Sequence, residues 1–353
     1  MSPAAESTGG PGLPEGWTAS EPAPDEVPSL VGLLRRHERE ARGWPGADSE
    51  SVAAEVVGRG AGTREHLVVR DHTGAPRAWV SCHDRAAGRV LVGVTVDPDL
   101  PREVADPVAL VCFDRAEEFG RRIARDRGLP RTQLDSGAFA DDPRQQEWLR
   151  AAGYEHVREW WQMRRPVDAS EATSLPPPRE GVTVRRVGRG EQGMPQEEDL
   201  RQVHLVLEES FADHFNSYRE TFEEFVSRLR EDPGHRWDHW WLAEVDGEPG
   251  GALVATALTG RPGPDGAPAP DGSYVDYIGV RSSARGRGVA KSLLHAVIAD
   301  AAARGRDRVQ LEVDANSPTG ADGLYTSMGW RTVYETQSWH REVDVPGPSA
   351  PAG

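Results

Sequence analysis

Residues 272–303 read GSYVDYIGVRSSARGRGVAKSLLHAVIADAAA: a strand, a glycine-rich turn and an amphipathic helix in unbroken succession. A strand feeding directly into a helix commits this part of the chain to an α/β layer. In the strand, Tyr274, Asp276, Ile278 and Val280 alternate to one face, and Val275, Tyr277 and Gly279 to the other. In the helix, Val289, Leu293, Val297 and Ala301 recur at helical spacing, while Ala290, Leu294 and Ile298 widen the apolar stripe. The turn between them is Arg285-Gly286-Arg287-Gly288-Val289-Ala290. Its glycines permit backbone conformations closed to other residues and let a ligand approach main-chain N–H groups. Those groups open a helix, whose first turn carries unsatisfied donors and partial positive charge, and the arginines add forked donors. The combination suits a diphosphate; a solvated turn closed by small residues is the plainer alternative. A Walker loop is excluded, because Ala290 rather than glycine precedes Lys291-Ser292. A dinucleotide fingerprint fails too, because Lys291 stands where its third glycine belongs.

The sequence downstream narrows the choice. Arg308–Asp314 alternates as a strand, 315–320 form a loop, Ala321–Met328 a short helix, and Gly329-Trp330 its stop. Ile278-Gly279-Val280, Arg285…Gly288…Ala290, the loop residue Asn316 and Leu324-Tyr325…Gly329-Trp330 follow in order. This series resembles the acetyl-CoA core of the GNAT superfamily of N-acetyltransferases. The resemblance implies acetyl-CoA as co-substrate, no metal, and transfer of an acetyl group to a primary amine of a small molecule by direct attack. It implies that Ile278, Gly279 and Val280 pair with the pantetheine arm, and that Arg285, Gly286, Arg287, Gly288, Val289 and Ala290 cradle the diphosphate. Asn316 then either holds the pantetheine arm or caps the following helix, a cap that Ser317 or Thr319 could supply equally. Tyr325 falls where the family places a general acid near the CoA sulfur. Asp276 is either the general base, working through a water because its side chain is short, or a contact for a cationic substrate. Glu312 is a further candidate for the base. His214 is another candidate for the base and falls where the family lines the acceptor pocket; Tyr274, where some members carry their glutamate, is expected to contact the substrate.

The rest of the chain reads as a second copy. Trp148-Leu149-Arg150-Ala151-Ala152-Gly153-Tyr154 lines up with Leu324-Tyr325-Thr326-Ser327-Met328-Gly329-Trp330, an offset of 176 residues from Gly153 to Gly329. That separation is about one domain and points to a tandem duplication. The expected organisation is a disordered tail over 1–27, an N-terminal GNAT-like domain over 28–165, a linker over 166–181, a catalytic domain over 182–345, and a second tail over 346–353. Each domain is expected to be α/β (α+β): a mixed, mostly antiparallel twisted sheet flanked by helices. The copies are not equivalent. After its strand Val90–Val96 the first reads Asp97-Pro98-Asp99-Leu100-Pro101-Arg102-Glu103-Val104, with acids and prolines where a diphosphate needs N–H donors. Leu149 stands where the second copy has Tyr325. The first copy is therefore expected to be catalytically dead.

Composition sets the outer limits. The net charge of −16 argues against a nucleic-acid partner and is compatible with small cationic substrates. No run of about 20 apolar residues and no charged-then-apolar leader occurs, which argues against a membrane span or secretion. Cys82 and Cys112 have neither metal-site nor disulfide-framework spacing, so a cytoplasmic location is expected. Lys291 is the only lysine among many arginines, a bias of GC-rich bacterial genomes. Trp237, Trp240 and Trp241 read as hairpin packing rather than a ligand box. The sequence leaves monomer and homodimer open. It also leaves open two other functions: a non-catalytic acetyl-CoA-binding regulatory module, and a protein N-acetyltransferase.

Overall fold

A computed structural model describes residues 12–85, 88–190, 193–212, 220–260, 269–316 and 320–345. The first half of the chain forms β1 (Thr18–Ser20), α1 (Val27–Arg42), α2 (Ser49–Val56), β2 (Arg64–Arg70), β3 (Pro76–Asp84), β4 (Arg89–Val96), α3 (Arg102–Asp126), β5 (Arg131–Phe139), α4 (Pro143–Ala151) and β6 (Glu155–Pro166). The second forms α5 (Glu171–Ser174), β7 (Val182–Arg186), α6 (Glu197–Phe211), α7 (Phe222–Glu231), β8 (His235–Val245), β9 (Glu248–Leu258), β10 (Gly272–Val280), α8 (Val289–Ala303), β11 (Arg308–Asp314), α9 (Ala321–Ser327) and β12 (Arg331–Asp344). Among the described residues no helix is long and apolar enough to cross a membrane.

The chain divides into two compact units: Met1–Glu159 with Tyr334–Gly353, and Trp160–Val333. In the first the strand order is β1-β2-β3-β4-β5-β12, and in the second β6-β11-β10-β9-β8-β7. Both sheets are antiparallel except for one short parallel pair each, β4 with β5 and β10 with β11. The boundaries differ from the sequence expectation because the two final strands are exchanged. Trp160–Pro166 of β6 pairs with β11, and Thr336–Asp344 of β12 pairs with β5. Side-chain packing supplies the reason. Met163 enters the core of the second unit, while Trp339 and Val343 enter that of the first.

Two expectations of irregular chain also fail. Trp17 is buried against Leu67 and Val69, so the segment before α1 is pinned: β1 pairs with β2, and Arg70 forms a two-pronged ion pair with Glu26. The Pro-rich stretch 166–181 belongs to the second unit. Val167 and Leu175 pack against its core, and Arg165 holds Glu171 of α5. Residues 261–268, rich in Pro and Gly, and the terminal segments 1–11 and 346–353 lie outside the described residues.

In the second unit α8 covers one face of the sheet, through Val289, Leu293, Val297 and Ala301 over Trp241, Leu253, Val275 and Leu311. The helices α6 and α7 cover part of the other, over Trp240, Leu242, Ala252 and Val254. The tryptophans Trp240 and Trp241 are thus core, on opposite faces. A buried polar cluster ties the far end of this unit together. Arg306 Nη1 donates to His239 Nε2 (2.7 Å) and to Ser273 Oγ (2.9 Å). Since arginine can only donate, Nε2 accepts, and His239 gives its Nδ1 proton to Asp238 (2.7 Å). His239 is therefore held neutral, and burial lowers its pKa. The folded state then binds its proton less readily than the unfolded chain. Stability from this group is complete above about pH 6.5 and is lost as pH falls through the lowered value. Calorimetric melting at pH 7.5 and pH 5 should show an acid loss of stability that His239→Gln, which keeps one donor and one acceptor, largely removes.

Candidate active site

The site of the second unit is a wedge between two parallel strands. Gly272 to Val275 of β10 pair with Arg308 to Leu311 of β11, and there the pairing ends. Beyond it β10 continues to Val280 on β9, and β11 continues to Asp314 on β6. Beyond Val275 β10 has no ladder pairing with β11 among the described residues, so those main-chain groups of 278–280 that point away from β9 are open to a ligand. The register to β9 slips at the same place: Val275 faces Ala255 while Tyr277 faces Val254, leaving Asp276 as a bulge. A bulge bends the strand and re-aims its side chains. It also corrects the simple alternation: Val275, Ile278 and Val280 all pack on the α8 side, and Tyr277 on the α6 side. Gly279 lets α6 approach, since a Cβ there would lie 2.9 Å from Ser210.

At the mouth of the wedge the chain turns through Gly286 and Gly288, both with positive φ (78° and 86°), and α8 starts with no side-chain cap. The first bond of the helix runs from Ser292 N–H to Gly288 O (3.0 Å). The N–H groups before it point out of the helix end. Arg285 is exposed, with no ion-pair partner among the described residues, whereas Arg287 is held by Asp246 (3.1 Å). Arg179, unforeseen in the sequence, donates to Gly286 O (3.2 Å). It is 107 residues away, in a stretch whose composition read as linker, and no local signal marks it.

Asp276 is the most perturbed carboxyl of the site. Its Oδ2 is enclosed and has no hydrogen-bond partner, and Thr256 hydrogen-bonds the group. Burial first, and the neighbouring Asp232 second, raise its pKa well above the ordinary carboxylate range. Tyr325 on α9 is buried and stacks edge-on against Trp330 (5.9 Å). Its hydroxyl has no hydrogen-bond partner among the described residues, and burial pushes its pKa up to about 12, so it stays protonated at neutral pH. Tyr274 is half-buried and, across β9, faces Thr256. Glu312, on β11, accepts from Gln162 Nε2 of β6. Asn316 is exposed and spends its backbone N–H on Asp314 (2.8 Å). It does not cap α9, whose N-cap is Gly320 without any side-chain bond. Ser317, Thr319 and His214 lie outside the described residues.

Comparison with known proteins agrees with this geometry. Residues 204–330 match the family model of the acetyltransferase (GNAT) family. Residues 204–330 are a GNAT acetyltransferase domain. A mycothiol acetyltransferase of Salinispora arenicola is 33% identical over 222 residues, covering 61% of this chain and 66% of that protein. One from Rhodococcus erythropolis is 27% identical over 338 residues, covering 93% of this chain and 100% of that protein. The fold matches a GCN5-related N-acetyltransferase from Sphaerobacter thermophilus (TM-score 0.70, 24% identity, 96% of this chain and 99% of that one). It also matches a tandem GNAT protein from the clavulanic acid biosynthesis pathway (TM-score 0.64, 15% identity, 95% and 100%).

The two units can be compared strand by strand. In the first, Arg89 to Val92 of β4 pair in parallel with Gln133 to Ser136 of β5, and the strands then part as in the second. The pairing of β3 with β4 runs without a slip. From Val92 to Val96 is four residues; from Val275 to Val280 is five. Asp276 thus sits at a one-residue insertion peculiar to the second unit. Gly137 follows Ser136, so a glycine occupies the place of Glu312, and the first unit has no counterpart of Asp276. The first wedge is filled by its own side chains: Ser136 Oγ donates to Val92 O (2.9 Å) and Gln145 Nε2 to Val94 O (3.2 Å). At its mouth Asp97, fully buried, is clamped by Arg36 and Arg77 (3.0 and 2.9 Å).

Proposed function

We propose that the second unit transfers the acetyl group of acetyl-CoA to a primary amine of a small molecule, in a ternary complex and without a metal, and that the first unit is non-catalytic. The observation that carries this reading is the inserted Asp276: a carboxyl with a raised proton affinity, bulged into a wedge whose other edge is free backbone. An amine nitrogen attacks the thioester carbonyl carbon, a C–N bond forms, and the C–S bond breaks as the tetrahedral adduct collapses. Asp276 takes the nitrogen's proton, directly or through one water. Free N–H groups of β10 hold the thioester and its oxyanion. The departing thiolate takes the phenolic proton of Tyr325, which solvent restores. The N-terminal end of α8, with Arg285, Arg179 and Gly288, supports a diphosphate reading, as do Val289 and Ala290 in its first turn. Tyr274 and Glu312 border the acceptor side, and Glu312 serves there as a polar contact rather than the base.

The acceptor of the mycothiol acetyltransferase relatives is the first amine to try, within a panel of small amines. Release of free CoA thiol is the readout. Tyr325→Phe should lower kcat about ten- to a hundredfold with acetyl-CoA affinity unchanged, the range for loss of one proton donor. Unchanged kcat removes Tyr325 from the chemistry. Tight acetyl-CoA binding with no turnover on any amine or peptide N-terminus would favour the regulatory-module reading instead.

A further inference from the structure

We propose that Arg228 of α7 is a positioning residue for acetyl transfer: through Tyr277 it fixes the bulge that presents Asp276, and its guanidinium supplies the positive charge behind that carboxyl. This rests on the reading of Asp276 as the base.

The geometry is specific. The Nε and Nη2 of Arg228 grip both oxygens of Glu220 (2.8 and 2.7 Å), which locks the fork. Its Nη1 donates to the Tyr277 hydroxyl (3.0 Å), and its guanidinium lies 5.7 Å from the Tyr277 ring and 5.8 Å from that of Phe225. Tyr277 is the residue next to the bulged Asp276, on the strand position where the register slips. Thr256 braces the carboxyl from β9. The bulge is therefore held from two sides, by a neutral donor on the sheet and by a charged one on the helix. Two charges act on Asp276 in opposite senses: Asp232, just beyond α7, repels its anion and Arg228 attracts it. Ionisable groups on the surrounding elements include Glu220 before α7, Glu223, Glu224, Arg230 and Glu231 on α7, Arg201, His204, Glu208 and Glu209 on α6, His235 and Arg236 on β8, and Glu312 on β11. Of the charges acting on Asp276, Arg228 is the one that opposes its protonation, so its removal raises the proton affinity of the carboxyl further. Arg228 limits how far burial and Asp232 raise the proton affinity of this carboxyl.

The test needs neither acceptor nor acetyl-CoA. Carboxyl-carbon NMR of the full chain labelled at aspartate follows Asp276 through a pH titration, its resonance assigned by its absence in Asp276→Asn. Arg228→Gln should move the midpoint upward by about one pH unit, the size of one unit charge at a few ångströms in a protein environment. Arg228→Lys keeps the charge and should restore most of that shift. Tyr277→Phe removes only the hydroxyl and should move the midpoint by a few tenths of a unit, so a fold failure in Arg228→Gln leaves two informative variants. A midpoint unmoved in a folded Arg228→Gln, or equally displaced in Arg228→Lys, overturns the proposal. If the midpoint moves as stated but Asp276→Asn transfers acetyl normally, the positioning stands and the assignment of the base falls.

Discussion

Asp276→Asn should lower kcat for acetyl transfer about 10²- to 10⁴-fold and, at the same time, make the protein more stable at alkaline pH. The first effect follows from removing the proposed proton acceptor of an attacking amine, within the range that general bases contribute. The second follows from the site's electrostatics. Burial and Asp232 raise the pKa of Asp276 in the folded chain. Between the ordinary carboxylate value and that raised one, the folded state binds the proton more tightly than the unfolded chain does. Stability from this group is therefore complete at low pH and falls as pH rises through the raised value. Asparagine is isosteric and never ionises, so the variant escapes that loss. Melting at pH 8 should show a gain of about 1–3 kcal/mol, the cost of an enclosed polar group left without a partner, and at pH 4 almost none. A variant that loses activity but also loses stability at pH 8 would mark Asp276 as a structural residue.

Acetyl-CoA titrated calorimetrically should bind at one site per chain, and Gly288→Trp should weaken it at least a hundredfold. Gly288 has φ 86° and is the uncapped start of α8. A Cβ there already meets the Arg179 side chain at 3.0 Å, and an indole would cover the N–H groups proposed to hold the diphosphate. A melting curve separates lost binding from lost fold. Pro101→Gly, at the corresponding turn of the first unit, should leave the stoichiometry and affinity unchanged. There Asp97 already occupies two arginines and Arg144 donates to Pro98 O and Leu100 O. Two sites per chain would mean that this clamp opens and that the first unit binds as well.

The sequence by itself determined the local pieces of this protein. The strand 272–280, the turn with Gly286 and Gly288 and the helix from Val289 are all short-range events, decided by alternation, helical periodicity and positive-φ glycines, and the structure keeps their bounds. The family signature lies in those pieces, which is why acetyl transfer was legible. The inequality of the two copies was legible too, since acids and prolines at 97–101 cannot offer what glycines and arginines offer at 285–288. Tertiary structure alone decided the rest, because it depends on which strands become neighbours. The exchange of β6 and β12 leaves no trace in either strand's own pattern; both alternate, and only the cores that receive Met163 and Trp339 discriminate. The bulge at Asp276 is a slip relative to β9, so strict alternation put Asp276 on the face of Ile278 when the fold separates them. Arg179 and Arg228 reach the site from segments distant in the chain, by side-chain length and charge pairing. Local conformation is encoded locally, while a catalytic site is an arrangement of contacts far apart in sequence, and only the folded chain sets those.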